Sequence, residues 1–297
     1  MTGTGTIDPQ AVLEVDGSNF IAGSLRGEIA FDAYTEQSSA GGSDSDLFVG
    51  MASDFGEIQW LNTVEGIGQT VAGYEPQLIS TSSDDVFLTG TFPQQAEFGS
   101  HTITAQNYGI FLAKLQETGG FDWAKSIGEG PSSYNVTDAV STEDGGLVLA
   151  GKFEGSGKFG KYSLESSGGD DIFVTKIESD GAVAWANRAG GTGPEGNAQI
   201  VSTIGGSVLL SAYINDGQFS SDISFGRLGV ESYTEFGSSR GNYLAEIGPS
   251  GQFVGYTRDW KSVTDFVQLP LGDIAITGDF WEEQFDDVTL SAKPSDA

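Results

Sequence analysis

Histidine occurs once in the 297 residues, at His101, and cysteine does not occur. A single imidazole builds neither a His-rich zinc site nor a pH-sensitive histidine cluster. Without cysteine there are no disulfides, thiolate metal sites or cysteine nucleophiles. A Ser-His-Asp triad would have to use His101. The chain has no Gly-x-Ser-x-Gly elbow in a strand-turn-helix setting, so His101 reads as a strand surface residue. Chemistry therefore falls to the carboxylates. Adjacent pairs occur at Asp84/Asp85, Asp170/Asp171, Glu282/Glu283 and Asp286/Asp287. Glycoside hydrolysis needs two acids at a set separation in space, which adjacency along the chain does not supply. These pairs sit in turns or at strand starts, where Asp is favoured for turn geometry alone. The reading is that no residue here is catalytic and that the chain is not an enzyme.

Calcium is the cofactor the residue types allow. Ser43-Asp44-Ser45-Asp46 and Gly168-Gly169-Asp170-Asp171 precede equivalent segments, and close carboxylates on Gly turns supply hard oxygen ligands. Asp44, Asp46, Asp170 and Asp171 are the candidate ligands, with Asx-turn capping before a strand as the alternative. The EF-hand loop and the Gly-Gly-x-Gly-x-Asp nonapeptide array are absent. A glycosylation-type sequon, Asn135-Val136-Thr137, falls in the segment entering the third repeat. The run Ala189-Gly190-Gly191-Thr192-Gly193 has neither the lysine nor the helix of a phosphate loop and reads as a connector.

The elements that must position these residues are strands. Glycine is about twice as frequent (44 residues) as its usual ~7 %, aromatics are plentiful, and no long helical pattern occurs. Three markers recur in the same order. One is an apolar segment: Asp46–Gly50, Gly109–Leu115, Asp171–Ile177 and, more weakly, Asn242–Ile247. Each is followed by a Gly turn and a strand bearing an aromatic, at Trp60, Trp123, Trp185 and Tyr256. The second is a strand ending in a small residue and an aromatic, as in Thr89-Gly90-Thr91-Phe92 and Ala150-Gly151-Lys152-Phe153. It is entered by turns such as Asp16-Gly17, Ser83-Asp84-Asp85, Asp144-Gly145-Gly146, Gly205-Gly206 and Gly272-Asp273. Such turns place residues at positive φ. The third is Phe-Gly or Phe-Asp at residues 31, 98, 159, 225 and 285. Units of about 60 residues follow, at 11–66, 76–130, 137–192, 198–260 and 263–297.

Four strands per unit match an all-β propeller whose blades are four-stranded antiparallel sheets. One such sheet cannot bury both faces alone, so neighbouring units pack face to face and the recurrent Phe and Trp fill the space between them. The pattern Asp171-Ile172-Phe173-Val174-Thr175-Lys176-Ile177, Ser179-Asp180-Gly181, Val183-Ala184-Trp185-Ala186 resembles the bacterial SBBP-type β-propeller repeat. The likeness runs from about Ala11 to Phe280. It implies a propeller in a large exported or surface-attached protein, and it transfers no catalytic residues. Long inserts at 27–42 and 215–240 depart from it. The fifth unit also ends after one further strand near Val288–Ser291, so the whole is expected as one domain over 1–297 with about five units, the last incomplete. Either residues up to Pro9 complete that unit as a clasp, or the natural chain continues.

Charge bounds the partners. With 42 acidic and 13 basic residues the net charge is −29, which repels nucleic acid and anionic lipid. High-salt solubility, calcium saturation and an acidic extracellular surface each account for it. No apolar run approaches 18 residues, so no segment inserts in a membrane, and Met1–Thr6 lacks a signal-peptide pattern. The expectation is a non-enzymatic extracellular or cell-surface module for adhesion, scaffolding or filament assembly. Its partner would be a protein or a glycan, or a second copy through the incomplete last unit. The alternative is a carbohydrate-binding or carbohydrate-active propeller using acids and aromatics in its central depression.

Overall fold

The computed structural model of the chain describes residues 5–31, 34–38, 45–67, 75–130, 134–193, 195–214, 222–225, 228–232, 241–260, 262–269, 274–279, 283–285 and 288–290. Every regular element among them is a strand. Asp44, Glu282, Asp286, Asp287, Gly272-Asp273 and the end of the chain after residue 290 lie outside the described residues, as does most of the 215–240 insert.

The first unit contains β1 (Thr6–Val15), β2 (Ser18–Arg26), a hairpin of β3 (Glu28–Phe31) and β4 (Tyr34–Gln37), then β5 (Asp46–Ser53) and β6 (Ile58–Val64). The second contains β7 (Gln77–Ser80), β8 (Val86–Phe98), β9 (His101–Leu115) and β10 (Phe121–Gly130). The third contains β11 (Tyr134–Ser141), β12 (Leu147–Phe153), the hairpin β13 (Ser156–Phe159) and β14 (Tyr162–Glu165), then β15 (Asp171–Ile177) and β16 (Val183–Gly190). The fourth repeats that plan with β17 (Gly196–Ser202), β18 (Val208–Ile214), β19 (Asp222–Phe225), β20 (Leu228–Ser232), β21 (Gly241–Ile247) and β22 (Phe253–Trp260). Two pairs follow, β23 (Ser262–Gln268) with β24 (Ile274–Asp279) and β25 (Glu283–Phe285) with β26 (Val288–Leu290).

Each of the first four units is an antiparallel meander of four principal strands, running β1-β2-β5-β6 in the first and β17-β18-β21-β22 in the fourth. The first strands of successive units lie beside one another, and the units stack like propeller blades. Three apolar clusters fill the gaps between them. One joins Phe20 and Val49 to Leu88 and Phe111, the next joins Phe87 and Leu112 to Leu149 and Phe173, and the third joins Val148 and Val174 to Leu210 and Ala245. Alternate residues of one strand thus face opposite neighbours. This is why β15 is buried at all seven positions, Asp171, Thr175 and Lys176 included, and why these strands are rich in apolar residues.

The repeated small residue before the aromatic has a packing cause. Gly23, Gly90 and Gly151 stand opposite Phe48, Phe111 and Phe173, and Ala212 stands opposite Tyr243. The ring lies across its small partner: a Cβ on Gly151 would fall 2.7 Å from Phe173 and 1.9 Å from the Asn135 carbonyl. The tight turns carry the expected positive φ, at Asp16, Gly17, Asp84, Gly145, Gly205 and Gly206.

Three expectations change. The segment Thr6–Pro9 pairs with Gly23–Arg26, so it belongs to the first unit and is not a clasp for the last. Tyr256 is not the fourth member of the tryptophan set. Trp60, Trp123 and Trp185 oppose Met51, Lys114 and Lys176, whereas Gly255 opposes the equivalent Glu246 and Tyr256 opposes Ala245. One residue of offset turns a side chain to the other face, so Tyr256 packs back toward the third unit. The sequon lies within β11 and not in a loop, and the Thr137 hydroxyl is taken by the Ala198 carbonyl at 2.6 Å.

The Phe marker ends the first strand of a hairpin, which in the later units laps onto the preceding unit. Phe159 and Lys158 of β13 pair with Gly128 and Glu129 of β10, and Phe225 and Ser224 of β19 pair with Ala189 and Gly190 of β16. In the second unit the hairpin is continuous with β8 and β9, and Glu97 exchanges backbone hydrogen bonds with Glu65.

Candidate functional site

The third and fourth units enclose a cleft of about 840 Å³, lined by Tyr162, Lys176, Glu178, Trp185, Asn187 and the β21–β22 turn Pro249–Phe253. Its wall follows from the sheet register. Lys176 and Trp185 are cross-strand partners on β15 and β16, and Asn187 follows Trp185 two residues later on the same face. The indole of Trp185 donates to the Pro249 carbonyl at 3.0 Å, and the Asn187 amide donates to the Gly251 carbonyl at 2.5 Å. The Tyr162 hydroxyl, from β14, donates to the Ala184 carbonyl.

Lys176 is only 10 % exposed at its side chain, and its ammonium is held by Asp144. The hydrogen bonds from Lys176 and then from Thr142 hold the Asp144 carboxyl down at about 2, so it is ionised at any physiological pH. Glu178 and Gln252 are exposed at the cleft edge. A smaller cleft of about 520 Å³ at the corresponding place between the first two units presents mainly polar groups, with Phe20 its one aromatic residue.

At the opposite end of β15 lies a buried carboxyl pair. Asp171 is fully buried and accepts from Arg188 and from the Ser167 amide at 3.0 Å. Glu195, 3 % exposed, lies against it, accepts from the Gly191 amide at 3.2 Å, and donates its own amide to the Asp170 carbonyl at 2.7 Å. Burial, and then the Asp171 charge, push the Glu195 carboxyl up to about 9. Burial raises Asp171 too, opposed by Arg188. The pair therefore keeps a proton at neutral pH, and Glu195 is its favoured seat because Arg188 faces Asp171. It is shut off from solvent, and it pins the connector leading into β17 to the third unit.

The proposed calcium ligands fall into different settings. Asp46 is buried and accepts from the Ser38 hydroxyl at 2.9 Å, Asp170 pairs with Lys152 at 2.9 Å, and Asp171 pairs with Arg188. Among the described residues no three acidic, His or Cys side chains group to hold a metal ion. Asp85 pairs with Lys114 at 2.8 Å, while Asp84 shapes its turn at φ 61°. His101 is half-buried, its Nε2 3.1 Å from the Phe121 carbonyl. Sequence reasoning missed Glu195, Lys176 and Asn187. Glu195 is 24 positions from Asp171 and carries no local signal, whereas Lys176 and Asn187 were marked only by their place in a repeat whose faces were unassigned.

No family model matches the chain, and no curated protein matches it. Solved structures do resemble it distantly. A protein of unknown function from Bacteroides caccae is 13 % identical at a TM-score of 0.38. The likeness covers 80 % of this chain and 62 % of that one, so the chain spans less than two thirds of its length. A GH43 β-xylosidase/α-arabinofuranosidase from a compost microbial metagenome, solved with xylotriose, is 13 % identical at a TM-score of 0.35 over 91 % of this chain and 93 % of that one. A GH43_1 enzyme from Xanthomonas citri, solved with xylose, is 11 % identical at 0.34 over 92 % and 93 %.

Two of these similar structures are glycoside hydrolases, and on that finding the expectation that the chain is not an enzyme is corrected and withdrawn. Likeness at this level assigns no activity. The expectation overreached for a physical reason: carboxyl chemistry is defined by separation in space, so the lack of a linear motif does not exclude it. No helix among the described residues is long and apolar enough to cross a membrane.

Proposed function

We propose that the chain is a carbohydrate-directed propeller module that takes its glycan in the cleft between the third and fourth units. The observation that carries this reading is the composition of the cleft wall. It sets the half-buried ring of Tyr162, with the edges of the buried Trp185 and Phe253 behind it, beside Lys176, Glu178, Asn187 and Gln252. A sugar ring offers C–H faces to aromatic surface and hydroxyls to amide, carboxylate and ammonium groups, and a concave wall mixing the two serves both. Glu178 is the exposed carboxyl at that wall and the group on which a hydrolytic role would fall. On this reading the whole chain is a single five-unit domain of the SBBP-repeat type, working outside the cell.

The test is affinity electrophoresis of the intact chain through a panel of soluble polysaccharides, with reducing-end release measured on the same panel. Retardation by at least one glycan, lost in Gln252→Ala and Glu178→Gln while the melting temperature holds, supports the reading. Turnover lost in Glu178→Gln with retardation kept would make that carboxyl catalytic. No retardation and no turnover across the panel would overturn the proposal.

A further inference from the structure

The turn between the last two strands is built identically in all four complete units. Amide-to-carbonyl bonds Gly56 to Ser53, Gly119 to Gln116, Gly181 to Glu178 and Gly251 to Gly248 close it, at 2.8 to 3.1 Å. Its glycine is at positive φ each time, at 78°, 87°, 82° and 87° in the four units. In the second, third and fourth units this glycine is the seat for a tryptophan of the preceding unit. A Cβ on Gly119 would fall 2.9 Å from Trp60, on Gly181 2.9 Å from Trp123, and on Gly251 2.7 Å from Trp185. Trp60 and Trp185 also donate to the carbonyl two residues before the glycine, Glu117 and Pro249, each at 3.0 Å. Nothing among the described residues lies within 4 Å of the Gly56 position. Beside it, where the occupied turns carry Thr118, Asp180 and Ser250, the first unit carries Phe55, 93 % exposed.

Among the described residues the second contact between units has no partner strand at the same place. The hairpins of the later units lap onto the outer strand of the unit before, through Glu97, through Lys158 and Phe159, and through Ser224 and Phe225. In the first unit β3 pairs only with β4 among the described strands. The Gly5 amide reaches the Glu28 carbonyl at 2.7 Å, and Ala30 and Phe31, which match Lys158 and Phe159, have no described strand on their outer edge.

We propose that the first unit is an acceptor for the outer strand of another unit of this kind, with a tryptophan seated over Gly56 and its backbone paired beside Ala30 and Phe31. The described outer strands of this chain do not supply it. β6, β10 and β16 are seated on the second, third and fourth units, and β22 carries Gly255 where the tryptophan stands. The occupant is an extended segment with tryptophan followed four or five residues later by a small residue, as in Trp123 to Gly128 and Trp185 to Ala189. The small residue is required because it lies opposite the hairpin Phe: a Cβ on Gly128 would meet the Phe159 ring at 3.1 Å. Main-chain pairing supplies the affinity of such a strand addition, and the indole seat supplies its specificity.

The probe is a fluorescein-labelled peptide with the sequence of Phe121–Gly130, titrated against the intact chain by fluorescence anisotropy, with amide shifts followed by NMR. Saturable binding is expected, with shifts at Gly56, Ala30 and Phe31, and about tenfold weaker binding of the peptide carrying Ala for Trp. Gly56→Asn keeps a residue that tolerates positive φ and blocks the seat, and Phe55→Ser leaves the turn unstrained; each should weaken binding about tenfold with the melting temperature unchanged. Equal affinity of the peptide lacking tryptophan, unchanged affinity of both variants, or no saturation up to about 1 mM would overturn the proposal. So would shifts confined to the Trp185 cleft. A mass that doubles with concentration in the absence of peptide would assign the face to a second copy instead.

Discussion

The indole of Trp185 lies over Gly251 and donates to the carbonyl of Pro249, 64 residues away in the next unit. Trp60 makes the same pair of contacts with Gly119 and Glu117. A large ring on one outer strand thus closes on a turn of the next unit, so the first three units are each fastened to the one that follows at the outer edge as well as through the core. The glycine is needed twice over, for positive φ and for the ring's close approach.

Trp185→Ala should cost about 3–5 kcal/mol in denaturant unfolding, the range for emptying a buried aromatic site. Trp185→Phe keeps most of the packing and loses the hydrogen bond, at about 1 kcal/mol. Equal losses for the two would show that the indole N–H, and not the ring, holds the units together.

Gly151→Ala should destabilise by about 1–3 kcal/mol, since its Cβ meets the Asn135 carbonyl and Phe173 at distances no side chain tolerates. Gly145→Ala, in open space but at φ 79°, should cost about 1 kcal/mol from backbone strain alone. The pair separates a packing requirement from a conformational one, and a larger loss at Gly145 would reverse that assignment.

Glu195 makes stability depend on pH in the alkaline direction. Its folded-state value is raised to about 9 from an ordinary 4.5, so the folded chain holds a proton that the unfolded chain releases. The contribution is fully present below about pH 4.5 and is lost as pH rises toward 9, with a slope of at most about 1.4 kcal/mol per pH unit. Glu195→Gln, neutral throughout, should be the more stable protein at pH 8 and should flatten this part of the profile. Parallel melting-temperature profiles for the two proteins between pH 5 and 9 would refute the shared proton.

Asp144 acts with the opposite sign. Its folded value of about 2 lies below the ordinary 3.8, so the stabilisation is present above about pH 4 and is lost as pH falls through 2. The carboxylate is half exposed and its direct worth is small, but Asp144→Asn leaves the largely buried Lys176 ammonium without its counter-charge. Loss of about 1–3 kcal/mol at pH 7 is expected, and Lys176→Met in the same background should restore part of it. No recovery in that double variant would show that the ammonium was never the cost.

The repeat was legible because its period is set by local chemistry. Turn glycines, a small residue before an aromatic and apolar-rich strands recur wherever a four-stranded sheet is buried on both faces, so the all-β class and the recurrence of its strands could be read from residues 11–260. The hairpin built around each Phe was visible as an excursion, but its lapping onto the unit before was not. That pairing joins residues such as Phe159 and Gly128, whose partnership depends on how two sheets stack.

What the sequence determined by itself is the strand pattern, the unit length, the absence of thiol chemistry and the strong negative charge, since each is a property of residue types and their spacing. Tertiary structure alone decided the rest. It set Gly255 and not Tyr256 in register with the tryptophans, buried Glu195 beside Asp171, gathered Trp185, Lys176 and Asn187 into one wall, and left Gly56 uncovered among the described residues. A one-residue shift in strand register or a contact between distant units leaves no mark on local composition. Both follow from packing whole sheets against each other, where burial, and not spacing along the chain, selects the partners.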